Sequence, residues 1–231
     1  MKLIMTGGGD SKYFSELDSH FYSLLSLSPT LLVIPLAEED DDFEYSLERI
    51  TESFSSIHFE EIKMCTDLRA LNWDYLESFD AVYIDGGNTF KLMESIRQSH
   101  LYELLRRFLH RGGIINGDSA GAIIMGSHLE TAHFGEHGDE NDSELISYQG
   151  LNLIGDLAIH CHYNKSEDSE IRDFVSECGL PVLALTEETG LSLEENVIKV
   201  FGFAQATLFG LEKMITIKVG EKFCLDSETF Y

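Results

Sequence analysis

The sequence is poor in proline, in basic residues and in long apolar runs. It has three prolines in 231 residues and no Pro-, Gly- or Ser-rich stretch typical of a linker, which predicts one domain over residues 1–231. No apolar run reaches the ~18 residues that a membrane-spanning helix needs, and the apolar stretch near the start is too short for a signal peptide. These absences argue against a membrane partner and favour a cytoplasmic location.

Positive charge is scarce as well. The chain has 16 Lys and Arg against 41 Asp and Glu, a formal net charge of −25. Such a surface repels phosphate backbones, so nucleic acid is excluded as a favoured partner. The densest acidic run, residues 38–44, is expected to be a solvated loop or a helix start. The four cysteines show no CxxC spacing and are predicted to be reduced thiols.

Strand-like apolar runs alternate with helix-like stretches through most of the chain. This alternation predicts an α/β fold whose mostly parallel sheet is flanked by helices. After Pro181 the pattern changes to short runs separated by turns, which predicts an antiparallel extension at one edge of the sheet. The runs assigned to the parallel part are residues 3–6, 31–35, 57–62, 81–85, 113–116, 157–163 and 181–185.

Three of these predicted strands end in glycine and small polar residues. The ends read GGGD at residues 7–10, DGGN at 85–88 and NGDS at 116–119. Sites in open α/β sheets lie beyond the carboxyl ends of the strands. We therefore expect the three segments to converge on one cleft.

Ser119 has the local sequence of a nucleophile. It lies in a G-x-S-x-G pattern between an apolar strand and a helix start, the context that a nucleophile elbow requires. The sharp turn needs small neighbours, and Gly117, Ala120 and Gly121 are small. The Ala120 N–H is a natural donor to a developing oxyanion.

A serine nucleophile needs a base, and two histidines stand out. On a strand over residues 157–163, His160 and His162 project to the same face and suggest a polar cleft. The pattern alone does not decide which of them is the base.

No metal or cofactor is predicted. A zinc site from His128, His133 and His137 is conceivable, but its spacing fits no common pattern. The glycines after the first strand do not complete G-x-G-x-x-G, because Lys12 occupies the third position.

Several segments, taken together, resemble the dipeptidase E and cyanophycinase family of serine peptidases. They are TGGG at residues 6–9, IDGGNTF at 84–90, GDSAGA at 117–122, GLNLI at 150–154 and CHYN at 161–164. The resemblance implies a fold like that of class I glutamine amidotransferases, with serine in place of their cysteine nucleophile. It also implies cleavage of peptide bonds through an acyl-enzyme.

The resemblance assigns roles by position. Ser119 matches the nucleophile and His162, which precedes an aromatic residue, matches the catalytic base. The N–H groups of Gly87 and Ala120 would form the oxyanion hole. His160 becomes an extra neighbour that, with Asn88, would border the substrate, although Asn88 could equally be a helix cap.

The third member of the triad is less well defined. Counting back from the histidine strand lands near Asp139, which is our choice. Glu136, Asp142 and Glu144 remain open.

The segment after His162 departs from the family pattern. Dipeptidase E has an arginine there that binds the side chain of an N-terminal aspartate. Here Arg172 is our candidate for contacting the substrate, but it is offset and Asp168 stands nearer that place. We predict a serine peptidase acting on dipeptides or short peptides without strict aspartyl specificity. The alternatives are an α/β-hydrolase-type esterase and a non-catalytic, amidotransferase-like binder of small molecules. A homodimer is left open.

Overall fold

The computed structural model describes residues 1–38, 43–136 and 138–225, so part of the acidic run at 38–44 lies outside the described residues. Five strands form a parallel sheet in the order β1-β5-β4-β2-β3. Most of their residues are apolar and buried, as is usual when helices cover both faces. The strands are β1 Lys2–Thr6, β2 Thr30–Ile34, β3 Glu61–Met64, β4 Ala81–Ile84 and β5 Ile114–Asp118.

Amphipathic helices cover the two faces. Successive strand residues point to opposite sides, so Ile4 packs with Phe21 and Ile50 on one face, while Leu3 packs on the other with Phe90. No helix in the described part of the chain is long and apolar enough to cross a membrane. The helices are α1 Ser15–Leu24, α2 Phe43–Ser53, α3 Trp73–Leu76, α4 Thr89–Arg97, α5 Leu101–His110, α6 Ala120–Ile123 and α7 Asp168–Cys178.

The late strands divide between two sheets. The predicted antiparallel extension is present at the β1 edge, where β8 Thr189–Glu194, β9 Val197–Gly202 and β12 Lys222–Cys224 complete the large sheet. The remaining strands form a small sheet in the order β11-β10-β7-β6. The fold class is confirmed, but the expectation that all late strands extend one edge is wrong. The strands of the small sheet are β6 Ala158–His160, β7 Val182–Ala184, β10 Ala206–Phe209 and β11 Met214–Ile217.

The histidine strand is shorter than its apolar alternation suggests. β6 ends at His160, and His162 adopts a left-handed φ of +55°. Its backbone N–H leaves the small sheet and donates to Gly7 O at 3.1 Å. The expectation that the two histidines share one face of a strand is therefore wrong.

His160 is part of a buried ion pair, with only 3% of its side chain exposed. Its Nδ1 lies 3.0 Å from Thr131 O and its Nε2 lies 2.8 Å from Glu167 Oε2. A carbonyl and a carboxylate only accept hydrogen bonds, so both ring nitrogens of His160 face acceptors. Asn164 N–H also donates to Glu167, in the 3₁₀ turn before α7. The pair ties β6 to the segment that follows His162.

Glu167→Gln is expected to lower the free energy of unfolding by about 3 kcal/mol near pH 7, the usual cost of breaking a buried ion pair. Burial raises the pKa of Glu167, but hydrogen bonds from His160 and the Asn164 N–H outweigh it and hold the pKa below its ordinary 4.5. The contribution of a carboxyl with a lowered pKa is complete above its unfolded-state pKa and is lost as the pH falls through its folded-state pKa. The difference between the two proteins should therefore shrink below pH 4.5.

Urea unfolding from about pH 7 down to about pH 3.5 measures this difference. Glu170→Gln is the matched control, because the Glu170 carboxylate is exposed and, within the described residues, accepts only from Gly135 N–H. Equal stability of the two variants near pH 7 would contradict the role given to the pair.

Candidate active site

Three chain turns meet at the carboxyl ends of neighbouring strands. In the parallel register Thr6 of β1 lies opposite Asp118 of β5, and Ile84 of β4 lies opposite Gly117. The segments that follow these strands therefore lie side by side. The structure thus brings together the three glycine-rich strand ends of the sequence.

Ser119 occupies a strained turn between β5 and α6. Its φ is +47°, a conformation that non-glycine residues rarely adopt. A Cβ atom at Gly121 would collide with Ile84 O, and one at Gly117 would collide with Gly121 O. The small neighbours are required because the turn packs directly on backbone, and this packing holds the Ser119 hydroxyl at the strand end.

The imidazole ring of His162 lies against Ser119. Ser119 Oγ is 2.8 Å from His162 Nε2, the geometry of a serine hydroxyl and its base. The Cβ position of Gly8, whose φ is +91°, is filled by the imidazole ring. Because the ring approaches so closely, position 8 in the turn after β1 has room only for glycine. The His162 side chain is 48% exposed, so the pair opens to solvent.

The other ring nitrogen of His162 faces Glu187, which the sequence analysis did not single out. The Nδ1 to Oε1 distance is 3.2 Å, and the Glu187 side chain is 62% exposed. Glu187 follows β7, which pairs in parallel with β6 so that His160 lies opposite Ala184. Residues just beyond these two strands are therefore neighbours. Parallel pairing of the two predicted strands was the signal that could have found Glu187.

Asp139 does not lie at His162. Its Oδ2 accepts from Thr89 N–H at 2.8 Å at the start of α4. The side chain of Asn88 caps the same helix, because its Oδ1 accepts from Phe90 N–H and Lys91 N–H. Asp139 and Asn88 therefore hold the start of α4, which places Asp139 away from His162 Nδ1, and Asn88 also lines the cleft around Ser119.

Two backbone amides at the strand ends have no internal hydrogen-bond partner. Neither Gly87 N–H nor Ala120 N–H donates to an acceptor within the described residues. Gly87 has a φ of +126°, and a Cβ at this position would collide with Ala37 O. Both amides lie on turns that follow strands next to one another, β4 and β5.

The other two residues predicted to border the substrate have partners of their own. His160 lies at the wall of the cleft, where it makes the buried ion pair with Glu167. Arg172 donates to Met214 Sδ at 3.5 Å and lies 5.6 Å from the centre of the Phe209 ring. Its guanidinium therefore packs on the small sheet, outside the residues that line the cleft around Ser119.

The described residues hold no group of three or more His, Cys, Asp or Glu side chains that could bind a metal ion. His137, part of the zinc alternative, lies outside the described residues.

The residue that precedes Ser119 in the chain is the acid Asp118. Burial raises the pKa of Asp118, and a hydrogen bond from Thr6 Oγ1 opposes that rise.

Known proteins resemble this chain in fold and in sequence. The chain superposes on the crystal structure of a peptidase from an acI-B1 Actinobacterium with a TM-score of 0.77, at 18% identity, over 97% of this chain and 96% of that one. It is 26% identical over 185 residues to a Peptidase E of Nostoc sp., covering 76% and 74% of the two chains. It is 28% identical over 148 residues to a probable alpha-aspartyl dipeptidase of Drosophila melanogaster, covering 58% of each chain.

The sequence profile of Peptidase family S51 matches residues 3–201. The match spans the strand ends described above, and it confirms the resemblance inferred from the motifs. The chain therefore belongs to peptidase family S51 and is a serine-type peptidase.

Proposed function

We propose that the chain hydrolyses dipeptides and other short peptides through an acyl-enzyme formed on Ser119. The observation that carries this proposal is the 2.8 Å contact between Ser119 Oγ and His162 Nε2 at a turn of strained backbone. A serine hydroxyl becomes a nucleophile when an adjacent imidazole takes its proton. Backbone strain at such a turn is typical of nucleophile elbows.

The reaction proceeds in two halves. His162 Nε2 accepts the hydroxyl proton as Ser119 Oγ bonds to the carbonyl carbon, and the carbonyl oxygen becomes an oxyanion. The N–H groups of Gly87 and Ala120 stabilise that charge. His162 then gives the proton to the leaving amine as the C–N bond breaks, and water repeats the sequence on the acyl-enzyme.

Glu187 takes the role that the sequence analysis gave to Asp139. An acid beside the base holds the imidazole with its proton on Nδ1 and stabilises the imidazolium that forms. Glu187 is the carboxylate within hydrogen-bond distance of His162 Nδ1, whereas the Asp139 carboxylate accepts from Thr89 N–H. Because Glu187 is largely exposed, solvent screens the interaction and its contribution is smaller than that of a buried acid.

Membership of a serine-type peptidase family argues against both alternatives from the sequence, the α/β-hydrolase-type esterase and the non-catalytic binder. A fluorophosphonate probe tests the proposal directly, because its reaction requires an activated serine. The wild-type protein should be labelled and should hydrolyse dipeptides. Ser119→Ala should fold normally, lose labelling and lose kcat by several orders of magnitude, about 10⁶-fold in another triad enzyme.

Ser127→Ala is the matched control for this experiment. The Ser127 hydroxyl is buried and has no hydrogen-bond partner among the described residues, so its removal should leave labelling and kcat unchanged. Labelling that persists in Ser119→Ala would reject Ser119 as the nucleophile.

The two candidate acids give a second test. Glu187→Gln should lower kcat by between about 10-fold and about 10²-fold, less than the ~10⁴-fold that a buried triad aspartate contributes. Asp139→Asn should stay within about threefold of the wild type, because an amide oxygen can still accept from Thr89 N–H. The reverse ranking in steady-state kinetics would return the role to Asp139.

Charge in the cleft favours substrates other than aspartyl peptides. Among the described residues, Lys165 is the only Lys or Arg that lines the cleft, and Arg172 packs on the small sheet. An N-terminal aspartate side chain would therefore meet an excess of like charge, with Lys165 as the one lining cation, and like-charge contacts cost several kcal/mol. The acids that line the cleft are Glu38, Glu136, Asp139, Glu167, Asp168, Glu170, Glu187 and Glu188.

A panel of X-Leu dipeptides measures this preference. We expect kcat/KM for Ala-Leu and Lys-Leu to equal or exceed that for Asp-Leu, with the difference reduced at high salt because exposed charges are screened. Arg172→Ala should leave the ranking unchanged. An Asp-Leu value at least about 10²-fold above every other dipeptide, lost in Arg172→Ala, would show that the offset arginine binds aspartate.

A further inference from the structure

The turn that carries Gly87 is anchored at the amides on either side of it. Gly86 N–H donates to Asp85 Oδ1 at 3.0 Å, and Asn88 N–H donates to Ala37 O at 2.7 Å. Gly87 N–H, between them, has no acceptor among the described residues. The contacts that hold Asp85 and Ala37 in place therefore also set the direction of the Gly87 N–H bond.

Arg49 of α2 connects these two anchors. Its Nη2 donates to Asp85 Oδ2 at 2.5 Å and to Glu38 Oε1 at 2.9 Å. Glu38 follows Ala37 directly, so a single guanidinium joins the carboxylate that holds Gly86 to the segment that holds Asn88. Among the Arg and Lys ion pairs in which both residues are described, the Arg49–Asp85 pair is the one whose acid is 0% exposed.

Asp85 depends on Arg49 to remain a carboxylate. Its side chain is 0% exposed, and a buried carboxylate is costly unless it is paired and hydrogen-bonded. The charged and titratable groups that face it are Arg49 from α2, Glu38, Tyr83 from β4 and Asp118 from the end of β5. Burial raises the pKa of Asp85 to about 6, Arg49 opposes this rise, and Asp118 and Glu38 add to it.

We propose that Arg49 and Asp85 are positioning residues whose ion pair holds the turn at residues 85–88 so that Gly87 N–H points at the substrate's carbonyl oxygen. The inference rests on the proposed function, because it requires Gly87 to donate to the oxyanion. Neither side chain touches a reacting atom. Both act through the peptide groups on either side of Gly87, and they stabilise the transition state more than the bound substrate.

Three variants test this: Arg49→Met, Asp85→Asn and the double variant. Each should lower kcat for a dipeptide substrate, and the rate of fluorophosphonate labelling, by between about 10-fold and about 10²-fold, since the donor is displaced rather than deleted. KM should stay within about threefold. Arg69→Met is the matched control, because it breaks a surface ion pair with Asp67, where Arg69 is 74% exposed. It should behave as the wild type.

The pH dependence of kcat separates positioning from a merely structural role. Loss of the Arg49 cation raises the pKa of Asp85, so the acid limb of the Arg49→Met profile should move to higher pH. The double variant has no carboxyl at this position and should not show the shift. A shift that persists in the double variant arises from another group, such as His162, and would overturn the inference.

The outcomes distinguish this inference from the proposed function. Wild-type protein that is neither labelled nor active rejects both. Labelled, active wild type whose kcat is unchanged in Arg49→Met and Asp85→Asn rejects the positioning role alone. If Arg49→Met fails to fold, Arg49→Lys replaces it. Lysine keeps the charge but lacks the planar fork of arginine, so kcat should fall less than in Asp85→Asn, and an unchanged kcat in both again rejects the role.

Discussion

Close backbone packing at the end of β5 is the constraint on which the active site depends. Gly121 lets the Ser119 turn lie directly on Ile84 O of β4, and Gly117 packs equally closely on Gly121 O, so neither position has space for a Cβ atom. The strained φ of Ser119 persists because the surrounding elements determine it. The same contact places Ser119 between the turns after β1 and β4. Gly8 then accommodates the His162 ring, and Gly87 presents its amide.

The sequence predicted the parts of the site that local pattern controls. An apolar run that ends in glycine and small polar residues identified the turns at residues 7–10, 85–88 and 116–119, and parallel pairing made them neighbours. His162 was assigned to a strand because the apolar alternation continues through Cys161. The strand ends earlier because the His162 N–H bonds to Gly7 O, a contact 155 residues away that no local pattern reveals.

The choice of the acid beside His162, between Glu187 and Asp139, shows the same limit of prediction from local sequence. Glu187 reaches His162 only because β6 and β7 pair, and pairing is decided by tertiary packing. Asp139 belongs to a long irregular segment, in which the number of residues from the histidine strand does not predict where a side chain lies. The path of that segment is fixed by contacts such as the stacking of His133 on Phe90, with ring centres 4.5 Å apart. The second sheet was missed because periodicity identifies strands without saying which sheet they join.

The proposed nucleophile and its proposed base follow strands of different sheets. Ser119 follows a strand of the large sheet, whereas His162 and Glu187 follow strands of the small one. The sheets meet where Cys161 Sγ lies 3.7 Å from Thr6 O and 3.6 Å from Ser119 O. Either sheet alone could keep its own ladder of hydrogen bonds and still lack a hydrolytic pair. A newly synthesised chain therefore lacks the proposed hydrolytic pair until the two sheets dock.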